Sequence, residues 1–404
     1  MLTIGVFPAD EGGCGHYRMI WPWETVAKQF PDEIKILWGK DIAKDCIVGW
    51  AGGPWPEGRE PTEYHVPIEL IEHPQLDVAI FQRPLLAKSA PYFKLLREQG
   101  TFVVVDLDDN FDRVHRNNIA WYASEPHWMR EEEMKTLSMY LGMDVTADRK
   151  AETNKDAYYH VPAHQGVHNR RNIAPALREV DLLIVSTPAL KRHYGKYAET
   201  CIIDNYVPEW YFDHRRAEDD QNPSPIVGWT GSVATHPTDL QVMGVGLQML
   251  RRQGDVFTFK VVGTGVRVHE AAGLEPDTTS GGWVDLLDGS YQREYASFDV
   301  GLCPLDDIAF NHAKSWLKGI EAAALGVVPV MSPLPEYQRL VDDGIGMLAK
   351  RPKDWTRHVR KLLQDPCMRR DMADLGQEIV RDHYTMEGNA WRWVEAVTEG
   401  IKNR

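Results

Sequence analysis

Residues 311–331 read Asn311-His312-Ala313-Lys314-Ser315-Trp316-Leu317-Lys318-Gly319-Ile320-Glu321-Ala322-Ala323-Ala324-Leu325-Gly326-Val327-Val328-Pro329-Val330-Met331. At 3.6 residues per turn, Lys314, Lys318 and Glu321 share an arc of about 60°, while Trp316, Leu317, Ile320, Ala323 and Ala324 take the other side. The spacing predicts an amphipathic helix with an apolar face for a sheet and a mixed-charge face for solvent or a ligand. Gly326 stands where a helix C-cap belongs, and Val328–Met331 reads as a buried parallel strand. A lysine at a helix N-terminus runs against the dipole preference, which favours a bound phosphate over a merely solvated face. The carboxylate two turns on suits sugar hydroxyls.

Working outward, the same strand–helix alternation fills the chain. Apolar, β-branched runs predict strands at Leu2–Phe7, Ile34–Trp38, Asp77–Phe81, Phe102–Asp106, Leu182–Ser186 and Thr200–Asp204 in one half. Ile226–Trp229, Val256–Val262, Asp299–Cys303, Val328–Met331 and Ile345–Leu348 follow in the other. This order argues for α/β architecture with helices on both sheet faces. Arg216–Pro225 (RAEDDQNPSP) reads as a linker between the halves, and Asp354 to Arg404 as helical, with a break at Asp365-Pro366. About 75 residues between Asp106 and Leu182 exceed a minimal repeat. They are rich in Trp, Tyr, His and Arg and are expected to be largely helical (Glu131–Leu141, Ala174–Glu179), either as a substrate-contacting insert or as a cover for the sheet.

Composition narrows the partners. The chain has 404 residues, 43% hydrophobic and 26% charged, which excludes a disordered or fibrous protein. Its net charge of −14 argues against stable nucleic-acid binding, which needs many Lys/Arg–phosphate contacts, and against more than peripheral contact with an anionic membrane. Five scattered cysteines (Cys14, Cys46, Cys201, Cys303, Cys367) form no Cys-x-x-Cys pair and point to reduced thiols. The start, MLTIGVFPADEGGCG, lacks the basic region and long apolar stretch of a signal peptide, and no apolar run nears the roughly 20 residues that span a bilayer. A cytoplasmic protein is expected.

Two Gly-rich loops follow first strands. Pro8-Ala9-Asp10-Glu11-Gly12-Gly13-Cys14-Gly15-His16-Tyr17-Arg18 lets the backbone approach a ligand and leads into a helix start with free N–H groups. Its spacing is not G-x-G-x-x-G, so dinucleotide binding has little support. His16 is a candidate base or phosphate contact, or simply an exposed histidine. Gly228-Trp229-Thr230-Gly231-Ser232, with Thr235, His236 and Asp239 beyond, fits a diphosphate or a tight turn. Asp106-Leu107-Asp108-Asp109-Asn110 suits a hydroxyl-bearing substrate or a base, Asp109 being the catalytic candidate, more than a metal; aspartates also routinely end strands. His160, His164 and His168 are spaced by four, but Pro162 and Gly166 break any single helix through them, so basic contacts or solvent exposure are favoured over zinc.

Together these segments resemble a GT-B glycosyltransferase of the family 4-like kind (glycosyl transferases group 1). Gly228–Ser232 is similar to the opening of that family's nucleotide domain, Val261-Val262-Gly263-Thr264-Gly265 to its second-strand turn, and Glu321–Val330 to its E-A-x-A-x-G-x-P-V-V segment, followed by Pro335-Glu336. Pro352, Trp355, Leu362-Leu363, Asp365-Pro366 and Tyr384-Thr385 resemble its terminal helices; Asp181–Pro188 and Asn205-Tyr206-Val207-Pro208 are typical of its first half. The resemblance leaves out about 110–175. It implies two Rossmann-like domains facing each other across a cleft: 1–215 for the acceptor, with the insert at about 110–175, and 216–385 for a nucleotide-sugar. It also implies a C-terminal helix at 386–404 that can cross back to the first domain.

By that resemblance the protein transfers a sugar from a nucleotide-diphosphate donor (UDP or GDP) to a hydroxyl acceptor, retaining configuration, without metal or cofactor. The acceptor class stays open among glycan, lipid-linked sugar, protein and modified base. Glu321 would hold the ribose; Gly231, Ser232, Asn311, Lys314 and Ser315 would line the donor; Gly12, Gly13, Gly15, His16 and Arg18 would lie near the diphosphate or acceptor. One departure stands out. Where the family's E-x7-E pattern has its first glutamate, this chain has Ala313. A catalytically silent sugar- or nucleotide-binding module, or a sugar-nucleotide epimerase on the same scaffold, are the alternatives.

Overall fold

The computed structural model describes residues 1–9, 12–39, 76–84, 89–115, 118, 121, 127–130, 149–153, 156–161, 170–216, 224–233, 235–236, 238–264, 268, 272–274 and 284–404. For 127–130, 149–153, 156–161 and 264 only the backbone is described. The chain divides into two compact units, Met1–Asp204 with Ala390–Arg404, and Asn205–Asn389.

The N-terminal unit is built on a six-stranded sheet of β1 (Leu2–Phe7), β2 (Ile34–Trp38), β3 (Val78–Gln82), β4 (Phe102–Leu107), β8 (Leu182–Val185) and β9 (Thr200–Ile202). Its order is β2-β1-β3-β4-β8-β9, all parallel. Strands β3 and β4 are buried at every residue, as expected of runs covered on both faces. Helix α1 (Trp21–Gln29) receives the C-terminal helix of the chain, Trp391–Asn403. There Gly400 lies so close to Phe102 that a Cβ would stand 2.5 Å from the ring.

Within the insert, β5 (His127–Arg130), β6 (Arg149–Thr153) and β7 (Asp156–Val161) form an antiparallel sheet ordered β5-β7-β6. Among the described residues of the insert, these strands stand where a largely helical segment was expected: runs such as Ala157-Tyr158-Tyr159-His160-Val161 carry the aromatic and β-branched residues that favour strands. Ile173–Leu177 is helical. Glu131–Leu141, His164 and His168 lie outside the described residues.

The C-terminal unit carries β10 (Ile226–Ser232), β11 (Thr258–Thr264), β12 (Val300–Cys303), β13 (Val328–Met331) and β14 (Met347–Leu348), ordered β11-β10-β12-β13-β14 and again parallel. Its core joins Val227, Trp229 and Phe259 from the sheet to Leu247 and Leu250, and to Trp355, Val359 and Leu362. The last three are spaced as one face of helix Pro352–Gln364. Asp365 ends that helix and caps the next, its side chain accepting the Met368 N–H at 2.9 Å.

Two boundaries differ from the sequence reading. The unit break falls at Asp204/Asn205 rather than at 215/216, because Val207 bridges to Thr385 and Tyr211 reaches Glu321, holding this stretch to the C-terminal unit. Met386 stays there too, donating its N–H to Val207 O, so the returning segment begins at Ala390 rather than at 386.

Arg18 is fully buried in the N-terminal unit. Its Nε and Nη2 donate to the two carboxylate oxygens of Asp106 at 2.9 and 2.7 Å, and its Nη1 to Ile203 O at 2.7 Å. Removing one partner strands a buried charge. Arg18→Leu is expected to cost about 3–5 kcal/mol in urea unfolding, and adding Asp106→Leu to restore part of the loss. Equal stability of Arg18→Leu and the native chain would contradict this.

Candidate active site

In the C-terminal sheet, β10 has β11 on one side and β12 on the other. The chain leaves the carboxyl ends of β10 and β12 in opposite directions, which opens a crevice of the sort that holds ligands in α/β folds. The strand ends are paired glycines: Gly231 opposes Gly263 in register, with φ of 146° and 134°. A Cβ on Gly263 would stand 1.9 Å from Gly231 O, so neither strand end tolerates a side chain.

Beyond Gly231 the chain turns, Ser232 O accepting the N–H of His236 at 3.0 Å. The next turn, Asp239–Met243, places Asp239 in a buried hub. Its Oδ2 lies 2.6 Å from His236 Nδ1; its Oδ1 accepts Asn311 Nδ2 at 2.7 Å and the Asp306 N–H at 2.8 Å. Burial pushes this carboxyl up, but the hydrogen bonds, that of His236 foremost, outweigh it and hold the group below the usual carboxylate range. Burial first, then the charge of Lys318, takes His236 down to about 4 against the pull of Asp239; Lys314 acts in the same sense as Lys318.

Asn311 belongs to a short 3-10 turn, Asn311–Ala313. Lys314 follows with extended backbone (φ −67°, ψ 143°), and the α-helix, here α2, runs only from Leu317 to Ala324. The single amphipathic helix expected from 311 onward is thus corrected. Asn311 is drawn to Asp239 and to Asp306 O, while Trp316 Nε1 donates to Asn205 O at 2.8 Å, and these pulls break the helix before Leu317. Ser315 Oγ accepts Asn205 Nδ2 at 2.7 Å, an internal bond rather than an open ligand contact. Gly326 caps the helix at φ 72°.

Lys318, in the first turn of α2, donates from Nζ to Thr230 O at 2.5 Å and lies over the Trp229 ring. Desolvation lowers its pKa, opposed by Cys303, Asp239 and Glu321. Lys314 stands over Phe310, its Nζ 4.6 Å from the ring centroid. Glu321 is 3% exposed, with the Tyr211 hydroxyl 3.4 Å from Oε1 and the Tyr291 hydroxyl 3.4 Å from Oε2; Tyr291 is also 3.3 Å from Thr230 Oγ1. Of the predicted donor residues, the structure brings Gly231, Ser232, Asn311, Lys314 and Glu321 to this end of the sheet. Tyr211, Tyr291 and Lys318 were missed as site residues. Lys318 was visible on the charged arc; no signal marked the tyrosines.

In the N-terminal unit the loop after β1 enters a helical turn (Gly13–Gly15), then a wide π turn (His16–Ile20), then α1. Such turns recur at functional sites. Gln82, at the end of β3, clamps the loop by accepting the Ala9 N–H at 3.0 Å and donating to Cys14 O at 3.1 Å. His16 is buried; since a carbonyl only accepts, its Nδ1 donates to Gly12 O at 2.9 Å, leaving Nε2 as the lone-pair nitrogen. A Cβ on Gly13 would meet nothing within 4 Å, so this stretch faces open space. Arg18 is corrected as a ligand contact: it is spent on Asp106. Asp108 pairs with Arg83, which holds a left-handed φ of 52°, and Asp109 is half-buried beyond them. Residues 10 and 11 of the loop lie outside the described residues.

Two parallel-sheet α/β units, each with its Gly-containing loop after the first strand, define the GT-B class of fold. Residues 247–395 match a family model described as glycosyl transferase-like. A UDP complex of Anabaena HepE is similar over 99% of this chain and 100% of its own (TM-score 0.60, 12% identity). So is a glycosyltransferase from Rickettsia africae, over 100% and 99% (0.60, 11%). A sucrose-phosphate synthase from Thermosynechococcus elongatus is similar over the full length of both (0.56, 13%). No curated protein matches by sequence. The similar structures share the GT-B fold, and the stretch that matches the glycosyl transferase-like model contains Lys314, Lys318 and Glu321.

A histidine held near 4 in the fold and near 6.5 when unfolded contributes stability fully present above 6.5 and lost as pH falls towards 4. Urea unfolding of the full chain is expected to lose about 3 kcal/mol more across that window in the native chain than in His236→Asn, which keeps a donor for Asp239. Parallel pH profiles would contradict it.

Proposed function

We propose that the chain transfers a sugar from a nucleotide-diphosphate donor to a hydroxyl acceptor, with retention of configuration and without a metal or cofactor. The observation that carries this reading is the meeting of Lys318, Lys314 and the glycine-ended β10 with the buried carboxylate of Glu321 at one sheet end. Two ammonium groups beside exposed backbone suit a diphosphate, and they stabilise the charge that grows on it as the bond to the sugar breaks. Glu321 holds its two phenols at 3.4 Å, long for O–H···O bonds, so ribose hydroxyls can share or replace them at little cost. Similar structures named as UDP and UDP-glucose complexes support a UDP-sugar as donor. In the other unit, His16 offers Nε2 to a hydroxyl acceptor.

Ala313 is buried in its turn, and its methyl side chain supplies no carboxylate for the donor sugar. This keeps a binding-only module as the second reading. A thermal-shift panel of UDP-, GDP- and TDP-sugars should raise the melting temperature with concentration for the true donor. Release of nucleotide diphosphate should fall on the order of 100-fold or more in folded Glu321→Ala and Lys314→Ala. Unchanged turnover in both would remove the assignment. Binding without turnover would favour the module, and isomerised donor without an acceptor would favour the epimerase.

A further inference from the structure

His236 is largely buried, with 15% of its side chain exposed, and is held once through its backbone and once through its ring. The backbone N–H is tied to Ser232 O at the end of β10, and Nδ1 faces Asp239 Oδ2 at 2.6 Å. Asp239 spends its other oxygen on Asn311 and Asp306, so the histidine cannot slide without loosening the loops after β10 and β12. An ionised carboxylate only accepts, so Nδ1 carries the proton. Nε2 is then a bare lone pair, with no hydrogen bond among the described residues.

Among the described residues, three charges act on this ring. Asp239, on the turn after β10, favours its protonation; Lys318 on α2 and Lys314 on the preceding turn oppose it. Lys318 is bonded to Thr230 O, two residues before the carbonyl that holds His236. Burial does most to keep the imidazole neutral, and the two lysines that add to it are the two assigned above to the donor's diphosphate. An anion bound to them cancels their repulsion and adds attraction of its own, so the two equilibria are linked.

We propose that His236 is a donor-site residue whose Nε2 takes up a proton from solvent as the diphosphate binds beside Lys318, and donates it to that diphosphate as a hydrogen bond. The inference rests on the donor-site reading above and deepens it. The proton comes from bulk water, Nδ1–H stays with Asp239, and no covalent bond to the protein forms or breaks. When the nucleotide diphosphate departs, the proton returns to solvent. The imidazolium then stands where the leaving group gains negative charge, inside a site of low dielectric where such a bond is strong.

Calorimetric affinities for UDP-glucose, GDP-mannose and TDP-glucose test this, because the diphosphate diester of these donors does not titrate near neutrality. The donor that binds should bind on the order of tenfold or more tighter at about pH 5 than at about pH 8 in the native chain, with equal affinity at both in His236→Asn. Imidazole 1H–15N spectra of the native protein at about pH 5.5 should change from singly to doubly protonated His236 on adding that donor. These spectra need no variant, so they decide even if His236→Asn fails to fold. Binding with no pH dependence, a dependence kept by His236→Asn, or an imidazole left singly protonated would each overturn the proposal alone. Binding of none of the three donors would remove the donor-site reading, and the proposal with it.

Discussion

The C-terminal site depends on one buried carboxylate. Asp239 gathers an imidazole from its own loop and an amide side chain and a backbone N–H from the loop after β12, and so ties the loop after β10 to the loop after β12. Those strands flank the point where the chain reverses direction across the sheet. A buried anion is tolerated there because every hydrogen bond to it is short and one partner is a titratable base. Without the bonds to Asn311 and Asp306 the two loops lose this tie. The glycine strand end, Lys314 and Lys318 then lose their common frame.

The N-terminal unit solves the same problem with a different pair. Arg18 reaches from the turn after β1 to Asp106 at the end of β4 and to a carbonyl beyond β9, binding together the ends of three strands. The arginine's fork matches the carboxylate's two oxygens, which fixes direction as well as distance. In both units, then, the loops at the carboxyl ends of the strands are pinned by ionic hydrogen bonds, while the glycines beside them keep the backbone open. Rigidity and access come from different residues.

The strands of both large sheets were legible because short buried parallel strands read as unbroken apolar runs, and Gly326 marked its helix end by a φ only glycine adopts readily. The helix start was not legible. It is decided by Asn311 bonding across 72 residues to Asp239 and by Trp316 across 111 to Asn205, while local periodicity carries the pattern back to Lys314. Arg18 misled for the same reason. A basic residue at the end of a Gly-rich loop reads as a ligand contact until its partner, 88 residues on, is known. Glu321 was found through its neighbours in sequence, but the tyrosines that hold it arrive from a 3-10 turn and a helix with no motif around them. No helix among the described residues is long and apolar enough to cross a membrane, in line with the short apolar runs.

On the proposed reading, a nucleotide-sugar sits at the switch point of the C-terminal sheet, its diphosphate beside Lys314 and Lys318 and its ribose at Glu321. A crystal structure of the full chain soaked with the donor tests this most directly. Diphosphate oxygens are expected within hydrogen-bonding distance of a lysine Nζ and of the Gly231–Ser232 backbone, with the ribose hydroxyls on the Glu321 carboxylate. Density for the nucleotide away from these residues, with Glu321 still closed by Tyr211 and Tyr291, would contradict it.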